Sequence, residues 1–145
     1  MNKFYSIILA LCIGICLAVQ APINANLGKV INAKNAALNS VLVSSITIFI
    51  IILLTGNIKE YSNITKVPPY YWIGGLLGII VVFGTILIIP ALGTLTTFSI
   101  IVTVQLVIGA LINHFGWFGI APMPITITKI SGIILLICGL RLIMK

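Results

Sequence analysis

Charged residues are scarce in this chain and make up only 6% of its 145 residues. A soluble domain carries about 25% charged residues, so this sequence has too few polar groups to cover a surface that faces water. The same shortage excludes an intrinsically disordered chain, and three cysteines are too few for a disulfide-rich secreted scaffold. With 61% hydrophobic residues and a mean hydropathy of +1.31, the composition indicates an integral membrane protein.

Acidic residues are almost absent, since Glu60 is the single acid against eight Lys and Arg residues. Glu60 lies in a predicted loop, so no predicted span holds a carboxylate that could exchange protons for a cationic drug. The basic residues lie near span ends and form no stripe, which favours lipid headgroups over nucleic acid as a partner. The cysteines fall within spans without a nearby His or acid, so we predict no metal and no cofactor.

Five apolar stretches are long enough to be membrane helices, which need about 20 residues to cross about 30 Å of hydrocarbon. They are apolar on every face, whereas the strands of a membrane barrel alternate. The sequence predicts an all-α integral membrane protein and a bundle of five transmembrane helices. It forms a single transmembrane domain over residues 1–145, with spans at about 4–21, 38–54, 71–89, 95–111 and 125–144. We predict that it is not an enzyme, because it lacks a catalytic constellation of His, Ser and acid.

The basic residues divide evenly between the two sides of the membrane if all five spans cross it. One side receives Lys3, Lys59, Lys66 and Lys129, and the other receives Lys29, Lys34, Arg141 and Lys145. The cytoplasmic side normally holds the excess of Lys and Arg, so this tally assigns no orientation. Either another determinant sets one orientation, or the chain inserts both ways and two copies assemble as an antiparallel (inverted) homodimer, a symmetry that many transporters use.

Two amides lie near the end of the first span. Gln20 and Asn24 are four residues apart and share one face if the helix continues. Pro22 lies between them and removes a helical hydrogen bond, which predicts a kinked or broken helix. The amides are either substrate contacts or the polar end of a helix at the membrane interface.

The fourth span carries a further amide, Gln105, near its middle. Gln105 either lines a central site or bonds a neighbouring helix, and the helical spacing of Ser99 and Thr103 favours a polar stripe that lines a pathway. His114, at the end of this span, is a titratable candidate for a proton relay, or simply an interfacial histidine. Lys129 lies one turn inside the last span and is expected to snorkel outward, with substrate coordination as the alternative.

Small residues predict two packing faces. Gly74 and Gly78 form a GxxxG pair in the third span, and Gly132 and Gly139 lie seven residues apart in the fifth. Either pair could pack within the chain or between chains. The fifth span is the better candidate for a dimer contact, because it is otherwise uniformly apolar.

Several of these motifs together resemble the YdcZ-like family, small bacterial members of the drug/metabolite transporter superfamily. The resemblance is carried by QAPINANLG at 20–28, PALG at 90–93, Gln105 with NHFGWFG at 113–119, and the spacing of Gly132 and Gly139. It implies five helices in the bacterial inner membrane, half the number in the ten-helix relatives. It also implies assembly as a dual-topology homodimer or as a pair with an oppositely oriented paralogue.

Two differences limit what the resemblance implies. The family often has Asp before its His-Phe-Gly stretch, where this chain has Asn113, so the resemblance implies no proton-linked role at this position. The related small multidrug resistance proteins dimerise through glycines seven apart, but they carry a first-helix Glu that this chain lacks. Their exchange of cationic drugs is therefore not implied.

The sequence thus predicts a multi-pass transporter of the bacterial inner membrane. It would export a small polar or amphipathic metabolite by alternating access in a dual-topology dimer. Gln20, Asn24 and Gln105 would line the pathway with Ser99 and Thr103. Two other functions stay open: a non-transporting assembly or scaffold subunit, and a channel.

Overall fold

The computed structural model describes residues 2–145, and every regular element in that range is helical. The long helices are α1 (Lys3–Ile31), α2 (Ala33–Thr55), α3 (Ile73–Leu92), α4 (Thr94–Phe115) and α5 (Ile127–Ile143). Short 3₁₀ helices at Asn57–Lys66 and Pro69–Trp72 connect α2 to α3, and another at Trp117–Gly119 follows α4. The predicted all-α class is confirmed.

Four helical segments are long and apolar enough to cross a membrane. They are Lys3–Ile31, Ala33–Thr55, Pro69–Leu92 and Thr94–Phe115. Helix α5 has 17 residues, which at 1.5 Å per residue gives about 26 Å, slightly less than the hydrocarbon thickness of about 30 Å. The chain is therefore a multi-pass membrane protein, and its fifth span stays a prediction.

A single residue, Asn32, separates α1 from α2, where the predicted spans 4–21 and 38–54 left a longer connection. Asn32 has φ 65° and ψ 160°, a positive-φ conformation outside the αL basin that residues with a side chain rarely adopt. Its Oδ1 accepts a hydrogen bond from the backbone N–H of Asn35 at 3.0 Å, which caps the start of α2. The polar residues around this turn end the apolar runs without ending the helices.

Helix α1 is not broken at Pro22, which corrects one of the two predicted outcomes. The helix is continuous from Lys3 to Ile31. Proline removes one hydrogen bond from this 29-residue helix. On either side of it Ala21 and Ala25 are buried, so packing stabilises the segment that the proline weakens.

The chain forms two compact units, Met1–Ala91 and Leu92–Lys145. The core of the first unit lies where α1, α2 and α3 meet and is built from small side chains. Ala36 and Ala37 of α2 are buried with Ile86 of α3. A Cβ atom on Gly28 of α1 would lie 2.7 Å from Cγ2 of Ile86, so only glycine fits there without a shift. Small residues permit this close approach, as is common between membrane helices.

Replacing Gly28 by Leu is expected to destabilise the first unit, because the new side chain overlaps Ile86. Overpacking of this kind costs about 1–3 kcal/mol. Gly14→Leu is the matched control on the same helix, since a Cβ at Gly14 meets no other described atom within 4 Å. In thermal unfolding of the protein in detergent, Gly28→Leu should lower the midpoint and Gly14→Leu should not. Equal midpoints would contradict close packing at Gly28.

The two predicted glycine pairs have free space beside them in the structure. A Cβ atom added to Gly74, Gly78, Gly132 or Gly139 would have no described atom within 4 Å, apart from its own helix and chain neighbours. Packing within the chain and packing between chains both stay predictions for these pairs.

In the second unit, α4 and α5 pack against each other. The start of α4 shares a groove with the end of α5, and the end of α4 shares one with the start of α5, so the two helices are antiparallel. The connection folds back onto α4. Gly116, with φ 66°, donates its N–H to the Ile112 carbonyl, and the backbone N–H of Met123 donates to the Asn113 carbonyl at 2.7 Å.

Candidate functional site

The predicted polar residues lie in surface grooves of the two units. Gln20 and Asn24 belong to the first unit, and Gln105, Ser99 and Thr103 belong to the second. The following geometry is that of each unit by itself.

Gln20 and Asn24 lie one turn apart on α1, as their spacing predicted. They line a shallow groove of about 460 Å³ with Ile15, Cys16, Val19 and Ile23. Gln20 is exposed, whereas Asn24 is half-buried. The amide of Gln20 is thus available to a solute in a largely apolar setting.

Asn24 also bridges two helices. Its Nδ2 donates a hydrogen bond to Oγ of Ser40 on α2 at 3.0 Å, and Ser40 is buried. Bonds of this kind between membrane helices contribute about 0.6–2 kcal/mol. Asn24 therefore has a structural role, and its Oδ1 and second N–H remain for a solute.

Sequence reasoning missed Ser40, although a signal for it exists. Asn24 and Ser40 each lie eight residues from Asn32. Residues equidistant from a tight turn lie at the same height in an antiparallel helical hairpin. Recognising Asn32 as the turn would have made Ser40 a candidate partner for Asn24.

The groove at the end of α4 and the start of α5, here called the polar groove, has a volume of about 400 Å³. Its polar lining residues are Gln105, Asn113 and Lys129; the others are Leu106, Gly109, Ala110, Met123, Ile125, Gly132, Ile133 and Leu136. Gln105 and Asn113 lie on one face of α4, about 12 Å apart along the helix axis. The exposed Gln105 amide thus faces a groove and not a protein core.

Lys129 reaches the polar groove from the first turn of α5. Oγ1 of Thr126 accepts a hydrogen bond from its backbone N–H at 3.4 Å and caps the helix. The Nζ atom of Lys129 donates to the Pro124 carbonyl at 3.2 Å. The ammonium group therefore extends toward the connecting loop, the direction expected for snorkelling, while the side chain lines the groove beside Gln105.

Ser99 and Thr103 line a second groove between α4 and α5, here called the apolar groove, of about 460 Å³. The Ser99 hydroxyl donates to the Leu95 carbonyl at 2.8 Å, and the Thr103 hydroxyl donates to the Ser99 carbonyl at 2.7 Å. Their protons are therefore used within α4, and only oxygen lone pairs remain for a solute. The expected polar stripe is weaker than the residue types alone suggested.

His114 stabilises the loop at the mouth of the polar groove. Its Nδ1 accepts a hydrogen bond from the backbone N–H of Ile125 at 3.4 Å. The ring also contacts the edge of Phe115, with centroids 4.9 Å apart. His114 thus connects the end of α4 to the segment before α5, and its proton-relay role stays a prediction.

Residues 2–145 contain no group of three or more His, Cys, Asp or Glu side chains that could hold a metal ion. The grooves offer amides and one ammonium group in an apolar lining. Amides and an ammonium group can form hydrogen bonds with a polar solute.

A family model described as "Putative inner membrane exporter, YdcZ" matches residues 5–142. The match includes every groove residue described above and confirms the resemblance that the sequence motifs predicted. No curated protein and no solved structure matches the chain.

Proposed function

Since the chain belongs to the YdcZ family, whose description is that of an inner membrane exporter, we propose that it exports a small polar or amphipathic metabolite by alternating access. The protein is a multi-pass component of the bacterial inner membrane. Membership of an exporter family agrees with a protein that is not an enzyme. The residues of the grooves support the finer parts of the proposal.

The exposed amide of Gln105, near the middle of α4, is the observation that carries this proposal. A polar side chain at this depth is costly in hydrocarbon and usually faces protein or a water-filled cavity. An amide both donates and accepts hydrogen bonds, so it suits a polar solute. Gln20 and Asn24 present the same chemistry on α1, and in our proposal these amides contact the solute with Ser99 and Thr103.

Helix α5 is the fifth span in this proposal, and residues 1–145 act as one transmembrane domain. Its 17 residues are at the short end of the range of about 17–25 for membrane helices. The dual-topology part of the proposal depends on this span. If α5 did not cross, Arg141 and Lys145 would join the side of Lys3, and the tally would be six against two. Such a bias would set one orientation, whereas four against four permits both.

Two oppositely oriented copies would then form the transporting unit as a homodimer, with an oppositely oriented paralogue as the alternative partner. An inverted pair supplies the symmetry on which alternating access is built in many transporters. The open glycine pairs support this assembly, because small residues permit helices of two chains to approach closely. Gly132 and Gly139 on α5 are the proposed primary contact, and Gly74 and Gly78 on α3 the secondary one. Gly132 also lines the polar groove and Gly139 the apolar groove, so in this proposal the partner chain forms part of the wall of each groove.

Export is tested with purified protein in vesicles loaded with a small-molecule extract of a bacterial culture, with and without proton and sodium gradients. Mass spectrometry of the external medium should find a restricted set of solutes that leave faster than from protein-free vesicles. The rate should saturate as the solute concentration rises. If no solute leaves faster, export is contradicted and a scaffold role is favoured. Fast, unsaturable efflux of many solutes would instead indicate a channel.

A further inference from the structure

The polar groove contains one cationic side chain and no acid among its lining residues. The Lys129 ammonium donates one hydrogen bond, to the neutral carbonyl of Pro124, and has three donors in total. Residues 92–145 include no Asp or Glu, so no carboxylate of the second unit compensates this charge. The ammonium is exposed beside the groove, so it is available for a charge-assisted hydrogen bond to an anion.

The rest of the lining indicates the shape of that anion. The amides of Asn113 and Gln105 can donate hydrogen bonds to oxygens of the ligand, and Asn113 lies toward the loop end of α4. Beyond them the lining is apolar. Leu136 lines both the polar groove and the apolar groove, so the two adjoin along α4 and α5. A ligand that is anionic at one end and apolar at the other would match this gradient.

We infer that the polar groove binds an organic anion whose carboxylate, phosphate or sulfonate group lies at Lys129 and whose apolar body extends past Gln105. The identification of this anion as the exported solute rests on the proposed function. The binding of the anion in the groove is independent of that function. The anionic group belongs either to a free metabolite or to the headgroup of an anionic lipid, and both present the same chemistry to Lys129.

The test uses the full-length protein in phosphatidylcholine nanodiscs and three naphthalene probes of matched size. These are 2-naphthalenesulfonate, the neutral 2-naphthalenesulfonamide, and a naphthylmethyl trimethylammonium cation. Equilibrium dialysis against empty nanodiscs removes the contribution of lipid partitioning. The sulfonate should bind at least about tenfold more tightly than the other two, because a charge-assisted hydrogen bond is stronger than a neutral one.

Substitutions at Lys129 and Lys145 test whether the probe binds in the polar groove. Lys129→Gln should reduce sulfonate affinity by about tenfold or more, and Lys129→Arg should retain the preference for the anion. Lys145→Gln removes the same charge beyond the end of α5, outside both grooves, and should bind like the wild type. Equal affinities for the three probes, or unchanged affinity in Lys129→Gln, would overturn the inference. The Lys129→Arg variant shows whether any loss follows from charge or from misfolding.

Two further measurements address separate questions: whether the anion is a lipid or a free metabolite, and whether anion binding and export stand or fail independently. Mass spectrometry of protein purified with phosphatidylglycerol should show lipid retained by the wild type and lost in Lys129→Gln if a lipid headgroup occupies the groove. Equal retention assigns the groove to a free anion.

In the efflux screen, export confined to cations or neutral solutes, together with no sulfonate binding, would refute the anion site while export stands. Sulfonate binding without any efflux would refute export while the site stands.

Discussion

Replacing Gln105 by Leu should lower the efflux of the exported solute from reconstituted vesicles by about tenfold or more, while the protein still assembles. The physical reason is that Leu fills a similar volume but removes an amide that can donate and accept hydrogen bonds in the polar groove. A solute oxygen or N–H left without its partner in an apolar groove costs about 1–3 kcal/mol. Since 1.4 kcal/mol is about tenfold, the loss should be large enough to measure in initial rates.

Two control variants distinguish loss of the amide from damage to α4. Gln105→Asn keeps an amide and should retain part of the efflux. Val104→Leu changes the neighbouring, exposed residue, which lines neither groove, and should leave efflux unchanged. Chemical cross-linking and size-exclusion chromatography should show the same oligomer for all variants. Unchanged efflux in Gln105→Leu would remove this residue from the pathway and return it to a packing role.

Changing the basic residues on one side of the membrane should convert a mixture of two orientations into one. Lys29 and Lys34 flank the α1–α2 turn, and their replacement by Gln leaves two basic residues on that side against four on the other. Lys59 and Lys66 lie in the 3₁₀ segment Asn57–Lys66, and their replacement reverses the imbalance. Because the side richer in Lys and Arg stays cytoplasmic, the two double variants should take opposite orientations.

Reporters fused to the C-terminus measure this outcome. In the wild type, alkaline phosphatase, active outside the cytoplasm, and green fluorescent protein, fluorescent inside it, should both give signal. Lys29→Gln with Lys34→Gln should retain only the phosphatase signal, and Lys59→Gln with Lys66→Gln only the fluorescence. This assignment assumes that α5 crosses, because five spans place the two termini on opposite sides.

Efflux then tests the antiparallel dimer itself. Each double variant alone should lose efflux, since all of its copies point the same way. Co-expression of the two should restore it, because opposite orientations are again present. A wild type with one silent reporter would contradict the homodimer and indicate a paralogous partner of opposite orientation. Full efflux by a single double variant would contradict any need for inverted pairing.

The scarcity of acidic residues limits the coupling mechanisms that this transporter can use. The only carboxylate side chain belongs to Glu60, within the polar 3₁₀ segment between α2 and α3. Proton exchange at a carboxylate inside an apolar helix is therefore not available to this chain. If the polar groove takes up the solute as proposed, the positive charge of Lys129 would favour anionic over cationic solutes.

Much of the architecture was predictable because hydrophobic length and the positions of Pro, Gly and charged residues constrain membrane helices directly. The all-α class, the membrane location and the family followed from such local patterns. The spacing of Gln20 and Asn24 also predicted their shared face. The extent of α1 and α2 was not predictable in the same way, because polar residues near Asn32 end a hydrophobic run whether or not the helix continues.

Composition and helical period are local properties, and they are enough to indicate a membrane protein whose apolar helices carry amides but no acid. The tertiary structure establishes which of those amides have partners. It joins Asn24 to Ser40 across the Asn32 turn and leaves Gln105 exposed in a groove with Lys129. The reason is physical: pairing depends on how two helices align across a turn, and that alignment depends on one residue with positive φ and on small side chains such as Gly28.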